Sequence, residues 1–427
     1  MPTLIQSLKK LIPERSPIRL IWHFAKAFCA ALRYGFPARK LTVIGITGTD
    51  GKTTTVGMIT HILQESGRRT AAASTAFFQI GEKREENETH LTSISPFALQ
   101  SFLRQAVKSG CEYAVIEVSS HGLVQGRVHY TWPGIAAITN LTPESLDYHG
   151  TIQQYQKDKG KLFHMLRGRG TKILNGSDAS TEHYQHIPSA ETVIYNKQGS
   201  DLWVEGIEEQ EQKVSGMLHT DLGGSVPLVL NIPGAYNLEN AQCAISVCTA
   251  LGVPLDRCIR ALESFSSVPG RLEKVDEGQD FLTFVDFAMT ENGYRQVLGA
   301  LRSMVGSDQK VIVLFGCIGN RMKEKRQTIA QVVSDLADIA IVTSDETYGE
   351  DPHAVHEEVW ASIDQSTIEA EKVFDRREAI ECALRKAQSG DAVICCGMGP
   401  FSTFNTPDGP IPWSEKEIIR EALRALS

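Results

Sequence analysis

The segment that most constrains the fold is a glycine-rich run, GITGTDGKTTT at 45–55, which lies between an apolar β-branched stretch and a helical pattern at 56–65. The order strand, glycine-rich loop and helix is typical of a phosphate-binding loop, because backbone N–H groups and the helix N-terminus converge on an anion. Lys52 can reach the terminal phosphates of a nucleotide, and Thr53 can offer a hydroxyl ligand to Mg²⁺. Ile46 stands where the general motif requires its first glycine, so the loop is a shortened variant.

Short apolar runs alternate with helical stretches from Lys40 onward, which is typical of parallel sheets with crossover helices. The sequence therefore predicts an α/β fold: a central P-loop ATPase-like parallel sheet domain and a C-terminal Rossmann-like α/β domain. A chain of 427 residues, 42% of them hydrophobic, can bury two cores. We expect a helical segment at 1–40, the central domain at 41–268 and the C-terminal domain at 269–427. The candidate strands are 41–47, 113–118, 135–139, 281–287, 311–315, 339–343 and 392–395, with a small antiparallel insertion within 195–230.

Charge and cysteine content restrict the class of partner and the compartment. The formal net charge is −8, so the chain has no diffuse basic field for a nucleic acid, and any phosphate site must be local. The nine cysteines show neither zinc-ligand spacing nor a disulfide framework, which favours a reducing cytoplasm.

An apolar stretch at 18–36 is interrupted by Arg19, His23, Lys26 and Arg33. The interruptions argue against an integral membrane segment and predict an amphipathic helix. Such a helix either packs on the following domain or offers a surface to a membrane or a partner, and the sequence leaves both alternatives open.

A second element, EYAVIEVSSHG at 112–122, places Glu117 near the end of an apolar strand. A carboxylate there can hold Mg²⁺ against a nucleotide, in the manner of a Walker-B residue. Solvation of a strand end would place an acidic residue there equally well. The phosphate-binding loop nearby favours the metal-binding alternative.

Several motifs in one order resemble the Mur ligase family, and in particular its UDP-N-acetylmuramoyl-tripeptide synthetase branch. They are TGTDGKTT at 47–54, EVSSHGLVQGRV at 117–128, TNLTPESLDYHGTIQQYQKDKGKLF at 139–163, YNLENA at 236–241, PGRLEKV at 269–275, VDFAMTENG at 285–293, FGCIGNRMKEKR at 315–326 and SDETYGEDP at 344–352. The resemblance implies a cytoplasmic, monomeric enzyme that uses ATP and Mg²⁺ and acts on small molecules. Such ligases transfer the ATP γ-phosphate to a carboxylate, and an amine then attacks the acyl phosphate.

The resemblance also implies roles for individual residues. The catalytic set is Lys52, Glu117 and Lys159. The ATP-binding set is Gly48, Thr49, Asp50, Gly51, Lys52, Thr53, Thr54, Asn237, Asn240, Arg271 and Asp286. The acceptor-binding set is Thr92, Ser93, Ser119, Gln125 and Arg127, and the amino-acid-binding set is Arg321, Asp345 and Glu346. The metal ligands are Thr53, Glu117 and Lys159, the last as a carbamate.

The sequence departs from the family pattern at three positions: Ser145 replaces an expected metal-binding His, Met289 replaces a His, and Phe401 replaces a Glu. The first departure puts a second metal in doubt. The loop that commonly reads DNPR reads DETY at 345–348 and so lacks its Arg. That Arg and the Glu replaced by Phe401 are the two groups that would bind the far end of diaminopimelate, so that substrate is not expected. About forty residues precede the phosphate-binding strand, fewer than the uridine-nucleotide-binding domain of this branch, so the acceptor is expected to bind more weakly or to lack the nucleotide.

Three functions remain open at this point. The first is an ATP-dependent ligase that adds an L-amino acid to a UDP-N-acetylmuramoyl-peptide-type carboxylate in peptidoglycan precursor synthesis. The second is a folylpolyglutamate-synthase-like ligase for another acceptor, against which the run EVSSHGLVQGRV argues. The third is a nucleotide-binding regulatory paralogue without turnover, which the three departures motivate and the retained lysines, Arg271 and Asp286 oppose.

Overall fold

The computed structural model describes residues 13, 15–210, 212–320 and 322–426. Its helices are α1 (Pro17–Tyr34), α2 (Lys52–Glu65), α3 (Pro96–Lys108), α4 (Ser120–Val124), α5 (Leu146–His149), α6 (Ile152–His164), α7 (Thr181–Tyr184), α8 (Tyr236–Ala250), α9 (Leu255–Glu263), α10 (Glu291–Met304), α11 (Glu324–Leu336), α12 (Pro352–Trp360), α13 (Arg376–Lys386) and α14 (Glu415–Leu426). Its strands are β1 (Thr42–Thr47), β2 (Thr70–Ala73), β3 (Phe77–Ile80), β4 (Lys83–Glu86), β5 (Tyr113–Glu117), β6 (Ile135–Ile138), β7 (Thr171–Asn175), β8 (Glu191–Tyr195), β9 (Leu202–Gln210), β10 (Lys213–Thr220), β11 (Ser225–Leu230), β12 (Glu273–Lys274), β13 (Leu282–Asp286), β14 (Val311–Phe315), β15 (Ile339–Val342), β16 (Glu369–Lys372), β17 (Ala392–Cys396), β18 (Thr403–Thr406) and β19 (Gly409–Pro412).

The first sheet has eleven strands in the order β11-β10-β9-β8-β7-β6-β1-β5-β2-β3-β4. Its centre is parallel, and β1 lies between β5 and β6 with Ile46 opposite Glu117 and Thr47 opposite Ile138. Consequently the carboxyl ends of these three strands meet at one edge, where ligands of parallel sheets bind. The predicted antiparallel insertion is confirmed: β10 pairs antiparallel with β9 and β11 and extends the sheet at one end.

Two apolar layers cover this sheet. On one face, Val56 and Ile59 of α2 and Ile245 of α8 are fully buried together with Ile46. On the other face, Leu103 of α3 and Leu162 and Phe163 of α6 are buried with Val43. Burial on both faces explains why the central strands read as continuous apolar runs rather than as alternating patterns.

The second sheet has six strands in the order β12-β13-β17-β14-β15-β16, all parallel except the short β12. Every residue of β14 is buried. Helices α10 and α11 cover one face, and α13 and α14 cover the other. The predicted α/β fold is therefore confirmed for both sheets.

The segment 264–272 connects the two sheets. Gly270 lies in the left-handed region at φ 66°, and a Cβ there would lie 2.3 Å from the backbone nitrogen of Pro400. Its carbonyl accepts a hydrogen bond from the N–H of Phe287 at 2.9 Å. This glycine permits the close approach that joins the connecting segment to the second domain.

Helix α1 is confirmed, and one of its faces packs on the central domain through the buried residues Ala27, Ala30 and Ala31. The Phe24 ring meets His129 edge-to-face at 4.4 Å, and Phe28 lies 5.8 Å from the ring of Tyr130. Within the described part of the chain, no helix combines the length and apolarity required to span a bilayer.

Candidate active site

The phosphate-binding loop leaves β1 at Thr47 and turns twice through glycine. Gly48 has φ 145° and Gly51 has φ 78°, and a Cβ on Gly48 would lie only 1.8 Å from the Thr139 hydroxyl. Helix α2 begins at Lys52, four residues earlier than the apolar pattern predicts. The earlier start arises because Gly51 serves as the N-cap, so the helix N-terminus faces the loop directly.

Two residues after β6 hold the loop in shape. The Asn140 side-chain carbonyl accepts hydrogen bonds from the N–H groups of Thr49 at 3.2 Å and Asp50 at 2.9 Å. The Thr139 hydroxyl donates to the carbonyl of Asp50 at 2.6 Å. Lys52 Nζ folds back to the Thr49 carbonyl at 2.7 Å. Sequence reasoning missed Asn140, although its place just beyond a central strand is a usable signal.

The carboxylate of Glu117 is the acidic centre of the site and is 1% exposed. It accepts hydrogen bonds from the Thr53 hydroxyl at 3.0 Å, the Thr75 N–H at 2.7 Å and the Thr75 hydroxyl at 3.0 Å. The structure thus brings together the hydroxyl and the carboxylate that the sequence predicts as metal ligands. Hard oxygen atoms of this kind suit Mg²⁺.

The rest of a Mg²⁺ shell would have to come from other groups. Among the described residues there is no cluster of three or more His, Cys, Asp or Glu side chains that could hold a metal ion. Mg²⁺ commonly keeps waters and binds through one or two carboxylates plus substrate phosphates, so the donor set fits the ion in that mode. Thr75, which sequence reasoning missed, orients the carboxylate.

Lys159 is buried beneath the loop. Its Nζ donates to the Gly48 carbonyl at 2.5 Å and lies 4.5 Å from the centre of the Tyr155 ring. Burial, together with the positive charge of Lys52, holds the pKa of Lys159 well below its ordinary value. The amine is therefore biased toward its neutral, nucleophilic form.

The second domain reaches into the loop through Arg271 and the residues after β13. One Arg271 Nη donates to the Thr53 hydroxyl at 3.0 Å. Its Nε is buried without a hydrogen-bond partner among the described groups, which leaves a donor for a ligand. Asp286 accepts from the N–H of Leu272 at 2.7 Å, and burial raises the pKa of Asp286 to about 6.

Asp50 makes a further link between the domains. Its two carboxylate oxygens accept from the Thr290 hydroxyl at 2.9 Å and the Asn292 amide at 3.0 Å. Behind the loop, the Asn240 amide donates to Asn237 Oδ1 at 3.0 Å. The predicted nucleotide residues therefore converge, although they come from elements far apart in the chain.

A cavity of about 360 Å³ lies between the two domains. The predicted residues that line it are Gly48, Thr49, Asp50, Gly51, Lys52, Thr53, Thr54, Thr92, Glu117, Ser119, Lys159, Asn237, Asn240, Arg271, Asp286 and Asp345. Ser93, Gln125, Arg127 and Glu346 lie outside its wall. Arg321 falls outside the described residues.

The predicted acceptor residues form a connected chain beside Glu117. The Thr75 and Thr92 hydroxyls form a hydrogen bond at 2.9 Å, and the Ser93 hydroxyl accepts from the Ser119 N–H at 2.9 Å. Arg127 donates to the Ser93 carbonyl at 2.7 Å and to Gln125 Oε1. These contacts fix the guanidinium next to the other acceptor candidates.

Glu346 is occupied by protein groups. One of its oxygens accepts from the Asn405 N–H at 2.9 Å and the Asn405 amide at 2.6 Å, and the other accepts from the Tyr348 hydroxyl. His90 lies 3.4 Å from the same carboxylate and stacks on Phe401 with ring centres 3.7 Å apart. The Glu346 carboxylate therefore contacts residues of both domains. Burial raises the pKa of its neighbour Asp345 to about 6.

The region of the departure at Ser145 is also occupied by protein contacts. Ser145 has φ 54° and its hydroxyl donates to Glu144 at 3.3 Å. His149 is buried, with one ring nitrogen 2.8 Å from Asp158 and the other 3.0 Å from the Ser120 hydroxyl. Both ring nitrogens of His149 therefore have protein partners in this structure.

We expect Lys325→Met to weaken domain closure. Lys325 pairs with Glu144 across the cavity at 2.6 Å, and both side chains are about one-fifth exposed. A partly exposed pair contributes of the order of 1 kcal/mol. With nucleotide and acceptor present, small-angle scattering should give a larger radius of gyration for this variant than for the parent chain.

Lys323→Met is the matched control, because Lys323 pairs with Glu350 and Glu358 of its own domain and is 62% exposed. It should leave the radius of gyration unchanged. Equal behaviour of the two variants would contradict a closing role for Lys325.

Comparison with known proteins places these features in a family. A model of the Mur ligase middle domain matches residues 46–248, and a model of the Mur ligase glutamate ligase domain matches residues 270–399. The UDP-N-acetylmuramoyl-L-alanyl-D-glutamate--2,6-diaminopimelate ligase of Geobacillus kaustophilus is 34% identical over 94% of this chain and 82% of that protein. The protein of the same name from Nostoc sp. is 37% identical over 98% and 85%. A solved structure of such a ligase is 28% identical, with a TM-score of 0.62 over 90% of this chain and 79% of that one.

Proposed function

The chain belongs to the Mur ligase family, and on that premise we propose that it joins an L-amino acid to a UDP-N-acetylmuramoyl-peptide-type carboxylate in an ATP-dependent, ADP-forming reaction of peptidoglycan precursor synthesis. The observation that carries the proposal is the convergence on one interdomain cavity of Lys52, the Thr53 and Glu117 pair, Lys159 and Arg271. A cation-lined phosphate loop that faces a second domain suits phosphoryl transfer followed by attack of an amine.

The reaction has two steps. A carboxylate oxygen of the acceptor attacks the γ-phosphorus of ATP, which forms an acyl phosphate and releases ADP. The amine of the amino acid then attacks the acyl carbon, and collapse of the tetrahedral adduct releases phosphate and leaves an amide. Lys52 and Arg271 offset the negative charge that accumulates when a carboxylate approaches a triphosphate.

Mg²⁺ would supply further charge neutralisation at the phosphates when bound. We propose Thr53, Glu117 and a carbamylated Lys159 as its protein ligands. All three lie within the wall of the same cavity.

We expect Glu117→Gln to lower the affinity for ATP in the presence of Mg²⁺ by about tenfold to 100-fold. The amide retains an oxygen that can accept from Thr75 but lacks the charge that holds the cation. Calorimetric titration with ATP, with and without Mg²⁺, measures the difference. Glu65→Gln, at the exposed end of α2, is the matched control. An affinity loss that persists without Mg²⁺ would contradict the metal role.

The residues at the amino-acid end support a substrate other than diaminopimelate, even though the relatives named above carry diaminopimelate in their names. Phe401 stacks on His90, and Glu346 is already bound by Asn405 and Tyr348. Neither offers a free charged group to a second ammonium or carboxylate. Arg321 and Asp345 remain our candidates for binding the amino acid.

The test of the function is phosphate release from ATP and Mg²⁺ with UDP-N-acetylmuramoyl-L-alanyl-D-glutamate as the acceptor, screened across amino acids with mass detection of the product. We expect release together with a mass gain for one amino acid other than diaminopimelate. If no amino acid gives phosphate release or a mass gain while ATP still binds, the proposed acceptor is wrong. A mass gain with diaminopimelate alone would overturn the specificity but leave the ligase intact.

Two alternatives remain weaker. A folylpolyglutamate-synthase-like ligase is disfavoured because the relatives at 34% and 37% identity carry muramoyl-peptide ligase names. A regulatory paralogue would bind ATP without turnover, and the departures at Ser145, Met289 and Phe401 motivate it. We further propose that the protein works in the cytoplasm as a monomer on small-molecule substrates.

A further inference from the structure

Helix α1 has a second apolar face that the domain does not cover. The side chains along it are strongly exposed: Ile18 71%, Ile21 68%, Trp22 61% and Leu32 59%. At about 100° per residue these positions form one stripe, opposite the face that Ala27, Ala30 and Ala31 bury. Apolar residues in such a row, with a Trp among them, indicate an interaction surface rather than scattered exposure.

Basic residues border the stripe on one side. Arg19, Lys26 and Arg33 are seven residues apart, so they form a row along one edge of α1. Residues 15–40 contain neither Asp nor Glu. Residues 1–40 carry eight Lys or Arg against one acidic residue, a net charge of +7, so the remainder of the −8 chain carries −15. Positive charge is therefore concentrated at this end of the protein.

A recess beside the stripe extends the basic region. It has a volume of about 560 Å³ between α1 and α3, and its wall includes Arg33, Arg104 and Lys108 but no acidic residue. Within the described chain, none of these three cations forms an ion pair with a carboxylate. These cations lie next to the exposed side chain of Leu32. The arrangement matches a lipid layer, in which charged headgroups lie next to apolar acyl chains.

We propose that α1 binds the surface of an anionic phospholipid bilayer, with the apolar stripe in the interface and Arg33, Arg104 and Lys108 on lipid phosphates. Long basic side chains at the edge of an apolar face reach the headgroups while their stems remain in the interface. A second copy of the chain fits less well, because pairing two such helices would bring like charges together. Residues 1–12 fit less well for the same reason, since they add Lys9 and Lys10.

The apolar stripe of α1 lies on a helix that packs next to the proposed acceptor residues. Phe24 and Phe28 of α1 pack on His129 and Tyr130, which lie two and three residues after the acceptor candidate Arg127. A bilayer on α1 would therefore lie close to the segment that carries the proposed acceptor residues. The binding itself does not depend on the proposed ligase activity.

The test is flotation of the full chain with vesicles of phosphatidylcholine containing phosphatidylglycerol, compared with phosphatidylcholine alone, at low and high salt. We expect partition onto the anionic vesicles only, weakened by salt. The double variants Ile21→Ser with Trp22→Ser, and Arg104→Glu with Lys108→Glu, should each lower the partition at least about tenfold. Their thermal unfolding should match that of the parent chain.

Matched controls are Ile207→Ser with Leu222→Ser, which changes two exposed apolar residues far along the chain, and Lys197→Glu with Arg257→Glu, which makes the same change in charge. Both should float like the parent. Equal losses in test and control variants, or no flotation with anionic vesicles, would overturn the proposal. If the chain binds vesicles only after deletion of residues 2–12, those residues cover the face instead. If the chain forms a dimer that Trp22→Ser dissociates, and vesicles stay unbound, a second copy covers the face.

Discussion

Replacing Lys52 with alanine is expected to lower the rate of ATP-dependent amide formation by about 1,000-fold while the fold persists. Lys52 lies at the first position of α2, and among the described residues its Nζ donates to the carbonyl of Thr49 in its own loop. The side chain therefore contributes little to packing, and its charge is free to meet the terminal phosphates. Loss of one preorganised group that stabilises developing charge typically costs about 100-fold to 1,000-fold in rate.

The measurement is phosphate release and product mass under saturating acceptor and amino acid, together with thermal unfolding. Lys157→Ala is the matched control, because Lys157 is an exposed lysine of α6 two residues from the site. It should keep full activity. Amide formation by Lys52→Ala at the parent rate would show that the loop does not bind the transferred phosphate.

The sequence predicts the order of strand, glycine-rich loop and helix well because its signal is local. Glycines at 48 and 51 followed by Lys52 and Thr53 determine a turn and a helix start within a few residues. The strand end at Glu117 is visible for the same reason. The predicted start of α2 was wrong by four residues because apolar periodicity, which begins at Val56, does not mark the polar first turn of a helix.

Contacts that cross the chain leave no such signal. Thr75 and Glu117, which form a hydrogen bond, are 42 residues apart in the sequence. Thr290 and Asn292, which both donate to Asp50, are 240 and 242 residues away from it. Threonine and asparagine at loop positions are common, so nothing in the local pattern distinguishes these. Their positions depend on how the second sheet is placed against the first, which is a property of tertiary packing.

The two faces of α1 illustrate a related limit. The periodicity of the helix predicts amphipathicity, but it does not tell which apolar side chains the domain covers. The structure divides them: small residues, Ala27 and Ala31, face the domain, while Ile18 and Trp22 remain exposed. Packing on the domain, one of the two alternatives that the sequence left open, is therefore confirmed for one face of the helix, and the other face is exposed.

Lys159→Ala is expected to lower activity at least about 100-fold and to recover part of it when a short-chain carboxylic acid is added. The free lysine is buried beside the positive charge of Lys52, and the pKa of its amine lies well below the ordinary value. A neutral amine attacks CO₂, forms an N–C bond and releases a proton, which leaves a carbamate anion. That anion is favoured here, because it places a negative charge beside the positive charge of Lys52 and offers an oxygen ligand to Mg²⁺.

The rescue distinguishes this role from a structural one. If Lys159 serves only as a donor to the Gly48 carbonyl, at 2.5 Å, an alkylamine rather than a carboxylic acid should restore the alanine variant. ¹³C resonance of the parent chain in labelled bicarbonate should report the carbamate carbon directly, and Lys157→Ala should retain that signal. Full activity of Lys159→Ala, or rescue by the amine alone, would contradict the carbamate prediction. The ligands of the cation would then be Thr53, Glu117 and the phosphates of ATP.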